Sequence, residues 1–355
     1  MTNNDSQTSS HAVILGCLLG VAVGDAIGLP TERLSRAKAL RLHRGGLRHR
    51  LLFGRGMFSD DTEHTLMAAA ALIRHPADAA AFQCSLGRYL RWWLLALPAG
   101  VGISTAKAVL RLWIGFSPQR AGISSAGNGA AMRSAIFGAC FAQDAETRRA
   151  MALASCRLTH TGPRAEESAH LVSEAAALAA RHTTTPEVLQ SLRQWLQSPE
   201  MTERYAMLET ALQRGDSVPE FASQIGCGHG VSGFAPNSVA VALYAWLRHR
   251  GDYARTVTEV VLCGGDTDSV AAIAGGIAGA EAGEAGIPAS WVQGIWDWPR
   301  SITYIRKLAN ALFLRLQGEQ VKPPRLAVWM ILPRNLLFLF VVIAHGFLRL
   351  IPRQR

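Results

Sequence analysis

Two short acid clusters lie far apart in this chain. Ser59-Asp60-Asp61 opens the stretch FSDDTEHTLMAAAALIRH, and Asp266-Thr267-Asp268-Ser269 follows the glycine pair of LCGGDTDSVAAIAGGIAGAEAG. Each can be explained as helix capping, because Asp and Ser are favoured N-caps and Asp60 and Glu63 have capping-box spacing. One side chain satisfies an N-cap, however, and each cluster carries two carboxylates beside a hydroxyl. Four carboxylates in one dry site repel strongly unless cations lie among them. Oxygen-rich ligation of this kind suits hard divalent ions, two Mg2+ or Mn2+, between which ligand type does not discriminate. Such a pair would orient substrate oxygens and ready a water for attack.

The elements that must position these acids read as helices. Alanine and glycine are abundant, and the long apolar runs lack β-branched alternation, so an all-α body packed through small faces is expected. In AVILGCLLGVAVGDAIG, Gly16, Gly20, Gly24 and Gly28 recur every four residues and form one smooth packing seam. Asp25 interrupts that seam and needs a partner; it is assigned to the substrate site. Residues 29–50 are strongly basic and read as an exposed loop or helix near an entrance. AGNGAAMRSAIFGACFA opens with a glycine turn, and the successive N–H groups of Gly127, Asn128 and Gly129 would suit a diphosphate, or form an ordinary Asn-Gly turn. The glycine-rich loop at 226–237 precedes another helix; its Phe234 would stack on adenine or fill the core.

Composition narrows the function classes. The chain has 355 residues, 49% hydrophobic and 17% charged, enough for a large buried core. Its net charge of +10 is uneven. Residues 300–355 hold ten Lys/Arg against Glu319 alone, leaving about +1 for the first 299. A near-neutral body is a poor match for sequence-specific nucleic-acid binding. The six cysteines are scattered with no C-x-x-C pair, and the polar start MTNNDSQTSS has no signal-peptide core, so a cytoplasmic protein with reduced thiols is expected.

GCLLGVAVGDAIGLPTE, SDDTEHTL, GNGAAMR, LTHTGP and GGDTDSVAAIAGGIAGA occur in one order between residues 11 and 300. In these motifs the chain resembles the ADP-ribosylglycohydrolase family, which includes dinitrogenase reductase-activating glycohydrolases and ADP-ribosylarginine and ADP-ribosylserine hydrolases. The resemblance implies an all-α fold, a binuclear magnesium or manganese cleft, and hydrolysis of an N- or O-glycosidic bond at the ribose of ADP-ribose. It implies Ser59, Asp60, Asp61, Asp266, Asp268 and Ser269 as metal ligands, although relatives often carry Thr where this chain has Ser59 and Ser269. Asp60 and Asp61 would also activate water. Glu32 matches a glutamate near the scissile bond, as acid or base; its other reading is an exposed loop residue. His160 becomes a ribose or site-orienting residue rather than only a hydrogen-bonded core histidine. The expected substrate is an ADP-ribosylated protein, with arginine one candidate acceptor. The alternatives are a small ADP-ribose conjugate, or a catalytically weak ADP-ribose-binding or immunity protein.

The resemblance leaves the C-terminal segment unexplained. A catalytic domain over 11–315 and an extension over 316–355 are expected, linked by Lys322-Pro323-Pro324-Arg325. Leu336 to Leu348 is apolar apart from His345, shorter than a span needs, and Pro333-Arg334 interrupts the longer run from 326 to 351. A buried helix, a partner-binding helix and membrane contact at the inner face all fit.

Overall fold

A computed structural model describes residues 3–350, with side chains from His11 to Phe347. Among the described residues there are eighteen α-helices and no β-strand, as the composition predicts. Ile351, Arg353 and Arg355 of the expected membrane-contacting segment lie outside the described residues, and so does the side chain of Arg349.

The N-terminal helix (Asn3–Gly28) and the helix Thr267–Ala282 form the axis of the fold. Both are buried along nearly their whole described length. The glycine seam explains how they approach so closely. Gly16, Gly20, Gly24 and Gly28 rest on the backbone of Gly279, Gly275, Ala271 and Thr267 in turn. Thr267 Oγ1 donates to Gly28 O at 2.9 Å at the lower end of the seam. This contact places Asp25 on one helix near Asp268 on the other.

A methyl group at Gly24 would fall inside the van der Waals surface of the Ala271 carbonyl oxygen. Backbone cannot swing aside as a side chain can. Gly24→Ala is therefore expected to cost about 3 kcal/mol, read as a lowered urea midpoint with an unchanged slope. A variant as stable as wild type would show that the two helices are not in backbone contact.

The helix Asp60–Arg74 crosses this pair, and its capped end is held from two sides. Ser59 is its N-cap. Glu63 does not complete the capping box that its spacing suggests. Its carboxylate accepts instead from Trp93 Nε1 at 2.5 Å and Arg300 Nη1 at 2.5 Å.

The C-terminal segment ends in a helix, Ile331–Leu350. Pro333 falls in its first turn, where a missing N–H removes no helical hydrogen bond. The helix lies against the body through one face. Arg334, Asn335, Phe338 and Val341 are buried, and Phe338 packs on Leu29 and Met57. Arg334 pairs with Asp297, donates to Phe58 O at 2.6 Å and lies 3.5 Å from Glu63 Oε1. Asn335 Nδ2 donates to Ala96 O at 2.8 Å.

Candidate active site

Local sequence fixes the loop that carries the second acid cluster. Gly264 and Gly265 both adopt positive φ, which lets the chain turn sharply out of the helix Tyr253–Cys263. Gly265 N donates to Leu34 O at 2.8 Å and Arg33 N donates to Gly265 O at 2.8 Å. On the other side, Asp266 N donates to Val231 O at 2.7 Å. The loop is thus held between the residues just after Glu32 and the glycine-rich segment before Phe234.

The two remote acid clusters meet. Ser269 Oγ donates to Asp61 Oδ2 at 3.3 Å across 208 residues of sequence. Ser59 Oγ donates to the same oxygen at 2.9 Å. Asp61 and Asp268 are buried, while Asp60 and Asp266 are half-buried. Asn128 Nδ2 donates to Asp266 Oδ2 at 2.8 Å and to Ser238 Oγ at 3.1 Å. Glu32 is also half-buried, pairs with Arg33 at 3.2 Å, and lies within electrostatic reach of Asp268.

The carboxylates work against one another. Burial pushes Asp61 well above the usual carboxylate range, with Asp25, Asp60 and Asp266 adding to the rise. Burial does the same to Asp268, with Glu32 the next cause, and to Asp60, with Asp25 next. Asp61 Oδ1 and Asp268 Oδ1 are buried without a hydrogen-bond partner. Excess negative charge with orphaned oxygens is what a cation site leaves when only its protein groups are considered. Among the described residues, however, no three Asp, Glu, His or Cys side chains already converge on a single ion position. The serine hydroxyls, which now donate to Asp61, would have to turn their lone pairs inward.

Three of the expected substrate-site groups are engaged by the protein itself. Asp25 is fully enclosed, and its oxygens accept from Ser59 N at 2.9 Å, Thr62 N at 3.1 Å and Thr62 Oγ1 at 2.6 Å. It anchors the Asp60 helix to the N-terminal helix, and burial pushes its carboxyl up to about 6. The Gly127-Asn128-Gly129 turn does not offer a free row of N–H groups. Gly127 N donates to Ser125 Oγ at 3.2 Å and Asn128 N to Gly233 O at 3.0 Å. Here the Asn128 side chain, rather than the backbone, faces the acids. His160 is enclosed as well. Its Nδ1 lies 2.8 Å from Thr159 Oγ1, and its ring supports the glycines of that turn, where a Cβ on Gly129 would come within 3.0 Å of Cε1. Burial first, and Arg133 second, hold it neutral at about 3. Phe234 is half-buried, with the Arg204 guanidinium 5.7 Å from its ring centre.

Sequence reasoning passed over two arginines. Arg133, the last residue of GNGAAMR, is fully buried and donates to Ser155 O at 2.9 Å, Thr159 Oγ1 at 2.6 Å and Gly129 O. It ties the glycine turn to the His160 segment. A lone arginine in a run of small residues is the signal that could have revealed it. Arg334 reaches the residue before Ser59 from the C-terminal helix, and no local pattern announces that. A cavity of about 820 Å3 between the Asp60 helix and residues 323–331 is a separate feature; Leu66, Met67, Trp93 and Trp329 line it, and none of the acids does.

The comparisons agree with this architecture. The ADP-ribosylglycohydrolase model matches residues 6–322. An uncharacterized protein of Archaeoglobus fulgidus is 30% identical over 308 residues, covering 84% of this chain and 94% of that protein. ADP-ribosyl-[dinitrogen reductase] glycohydrolase of Rhodospirillum rubrum is 24% identical over 296 residues, covering 80% and 90%. A solved ADP-ribosylglycohydrolase-related protein complex superposes with a TM-score of 0.66 at 26% identity, over 87% of this chain and 99% of its own. The five motifs, the helical body and a match over most of its length lead to one conclusion: the chain belongs to the ADP-ribosylglycohydrolase family.

Proposed function

We propose that this protein releases ADP-ribose from a modified protein side chain by metal-dependent hydrolysis of the bond to the ribose carbon. The observation that carries the reading is the Ser269–Asp61 hydrogen bond, which joins two acid clusters that have no structural need for so many carboxylates. Ser59, Asp60, Asp61, Asp266, Asp268 and Ser269 would hold two Mg2+ or Mn2+ ions. Bound there, such ions supply charge neutralisation and a water acidified toward neutral pH. Asn128 fixes the Asp266 carboxylate, and Asp25 fixes the backbone that presents Asp60 and Asp61. Half-exposed Asp60 is placed to orient the attacking water, and Glu32 to exchange a proton with the leaving group. The glycosidic bond breaks, water's hydroxyl joins the ribose carbon, and its proton leaves with the acceptor.

A protein acceptor is favoured because the Rhodospirillum rubrum relative is named for an ADP-ribosylated protein. Six free cysteines, four of them buried, support a reducing, cytoplasmic setting. The test is a release assay on arginine- and serine-linked ADP-ribosylated proteins and on small ADP-ribose conjugates, in Mg2+, Mn2+ and chelator. Cation-dependent release from one protein conjugate is expected. Turnover of small conjugates alone would move the substrate to that class. Tight ADP-ribose binding with no release from any of them would make the chain a binder.

A further inference from the structure

The C-terminal helix carries two apolar faces, and the body covers only one. Leu336, Phe340, Ile343 and Phe347 recur at i, i+4, i+7 and i+11, and are 50%, 69%, 48% and 66% exposed. The opposite face holds Arg334, Asn335 and Phe338. At the start of the segment, Trp329 packs edge-on against Trp298 with ring centres 6.1 Å apart, and both remain largely exposed. No acidic residue occurs after Glu319, while Lys322, Arg325, Arg334, Arg349, Arg353 and Arg355 all do. Val328–Phe347 is long and apolar enough to cross a membrane, yet only 22% of it is buried.

We propose that this helix seats the protein in the headgroup region of an anionic lipid bilayer, lying along the surface. Spanning would require pulling Arg334 away from Asp297, Glu63 and Phe58 O into hydrocarbon. An in-plane helix keeps those bonds inward and turns the leucine and phenylalanine stripe into the lipid. Indole rings at the segment's start suit the interface, and the basic flanks complement anionic headgroups. A second copy of the chain is the poorer occupant, because it would bring two acid-free basic segments together. The inference does not depend on the hydrolase reading.

The test uses the full chain in flotation with phosphatidylcholine vesicles and with equimolar phosphatidylcholine–phosphatidylglycerol vesicles. Wild type is expected to float with the anionic vesicles and to be released by salt. The triple variant Leu336→Glu, Phe340→Glu, Phe347→Glu should lose roughly 100-fold or more in partitioning, since each side chain gives up a buried apolar surface. Its thermal midpoint and hydrolytic rate should stay close to wild-type values, because the three substituted side chains are 50–69% exposed. Absence of wild-type flotation, or equal flotation of the triple variant, overturns the proposal. A wild-type dimer that the triple variant splits, without vesicle binding, assigns the face to a second copy instead.

Discussion

Arg334→Met is expected to lower folding stability by about 3–5 kcal/mol near neutral pH. The guanidinium is buried among Asp297, Glu63 and the Phe58 carbonyl, with the ring centres of Phe58 and Phe338 at 5.7 and 4.5 Å. Methionine keeps much of the volume but leaves Asp297 charged in a dry site. Burial already pushes the Asp297 carboxyl upward, and Arg334 is the main group opposing that rise. Without it the folded-state value climbs further above the unfolded one. Stability from such a group is present at low pH and is lost as pH rises through the folded value. The deficit of the variant should therefore be smaller at about pH 5.5 than at about pH 7.5. Adding Asp297→Leu should recover half or more of the loss, because removing both partners leaves no orphaned charge. Glu63 keeps Trp93 and Arg300 in either case. Urea midpoints of wild type, single and double variants decide this, and a single variant as stable as wild type would remove Arg334 from any structural role.

That arginine also marks where sequence reading stops. The glycine seam was legible because its four-residue spacing is a local property of one helix, and its partner Gly275–Gly279 shows the same smallness. The acid clusters were legible because two carboxylates exceed what a helix cap requires. Their company was not. Asp25 looked like a substrate residue because an acid in an apolar seam signals function, yet its partners are two backbone N–H groups and the Thr62 hydroxyl, some thirty-five residues onward. The Gly127–Gly129 turn looked like an anion cradle because a glycine turn exposes N–H groups until another segment takes them. Gly233 O takes that of Asn128, and Ser125 Oγ that of Gly127. Pro333-Arg334 read as an interruption of an apolar run, since nothing nearby shows that Asp297 and Phe58 await Arg334, or that Ala96 awaits Asn335. Local composition reveals which groups are costly to bury, but not which distant group offsets the cost.

Asp61→Asn is expected to abolish hydrolysis, by roughly 10³-fold, while making the metal-stripped protein more stable. The two effects have one origin. Asp61 is enclosed, its Oδ1 has no partner, and Asp25, Asp60 and Asp266 all disfavour its charge. An amide in its place still accepts from Ser59 and Ser269 and relieves the repulsion, which should yield about 1–2 kcal/mol in chelator. The sign of the pH dependence follows. A carboxyl raised in the folded state contributes most below its unfolded value and progressively less as pH rises, so the advantage of the variant should widen from about pH 5 to about pH 8. His64 and His160, held neutral by burial, destabilise both proteins alike on acidification and cancel in the comparison. With Mg2+ or Mn2+ at a hundredfold excess over its dissociation constant, wild type should gain about 2.7 kcal/mol, and the variant much less. The order of the two melting temperatures should therefore reverse when the cation is added. If wild type is the more stable protein in chelator, or if neither melting temperature responds to either cation, the carboxylates are not gathered for metal and the hydrolytic reading loses its chemistry.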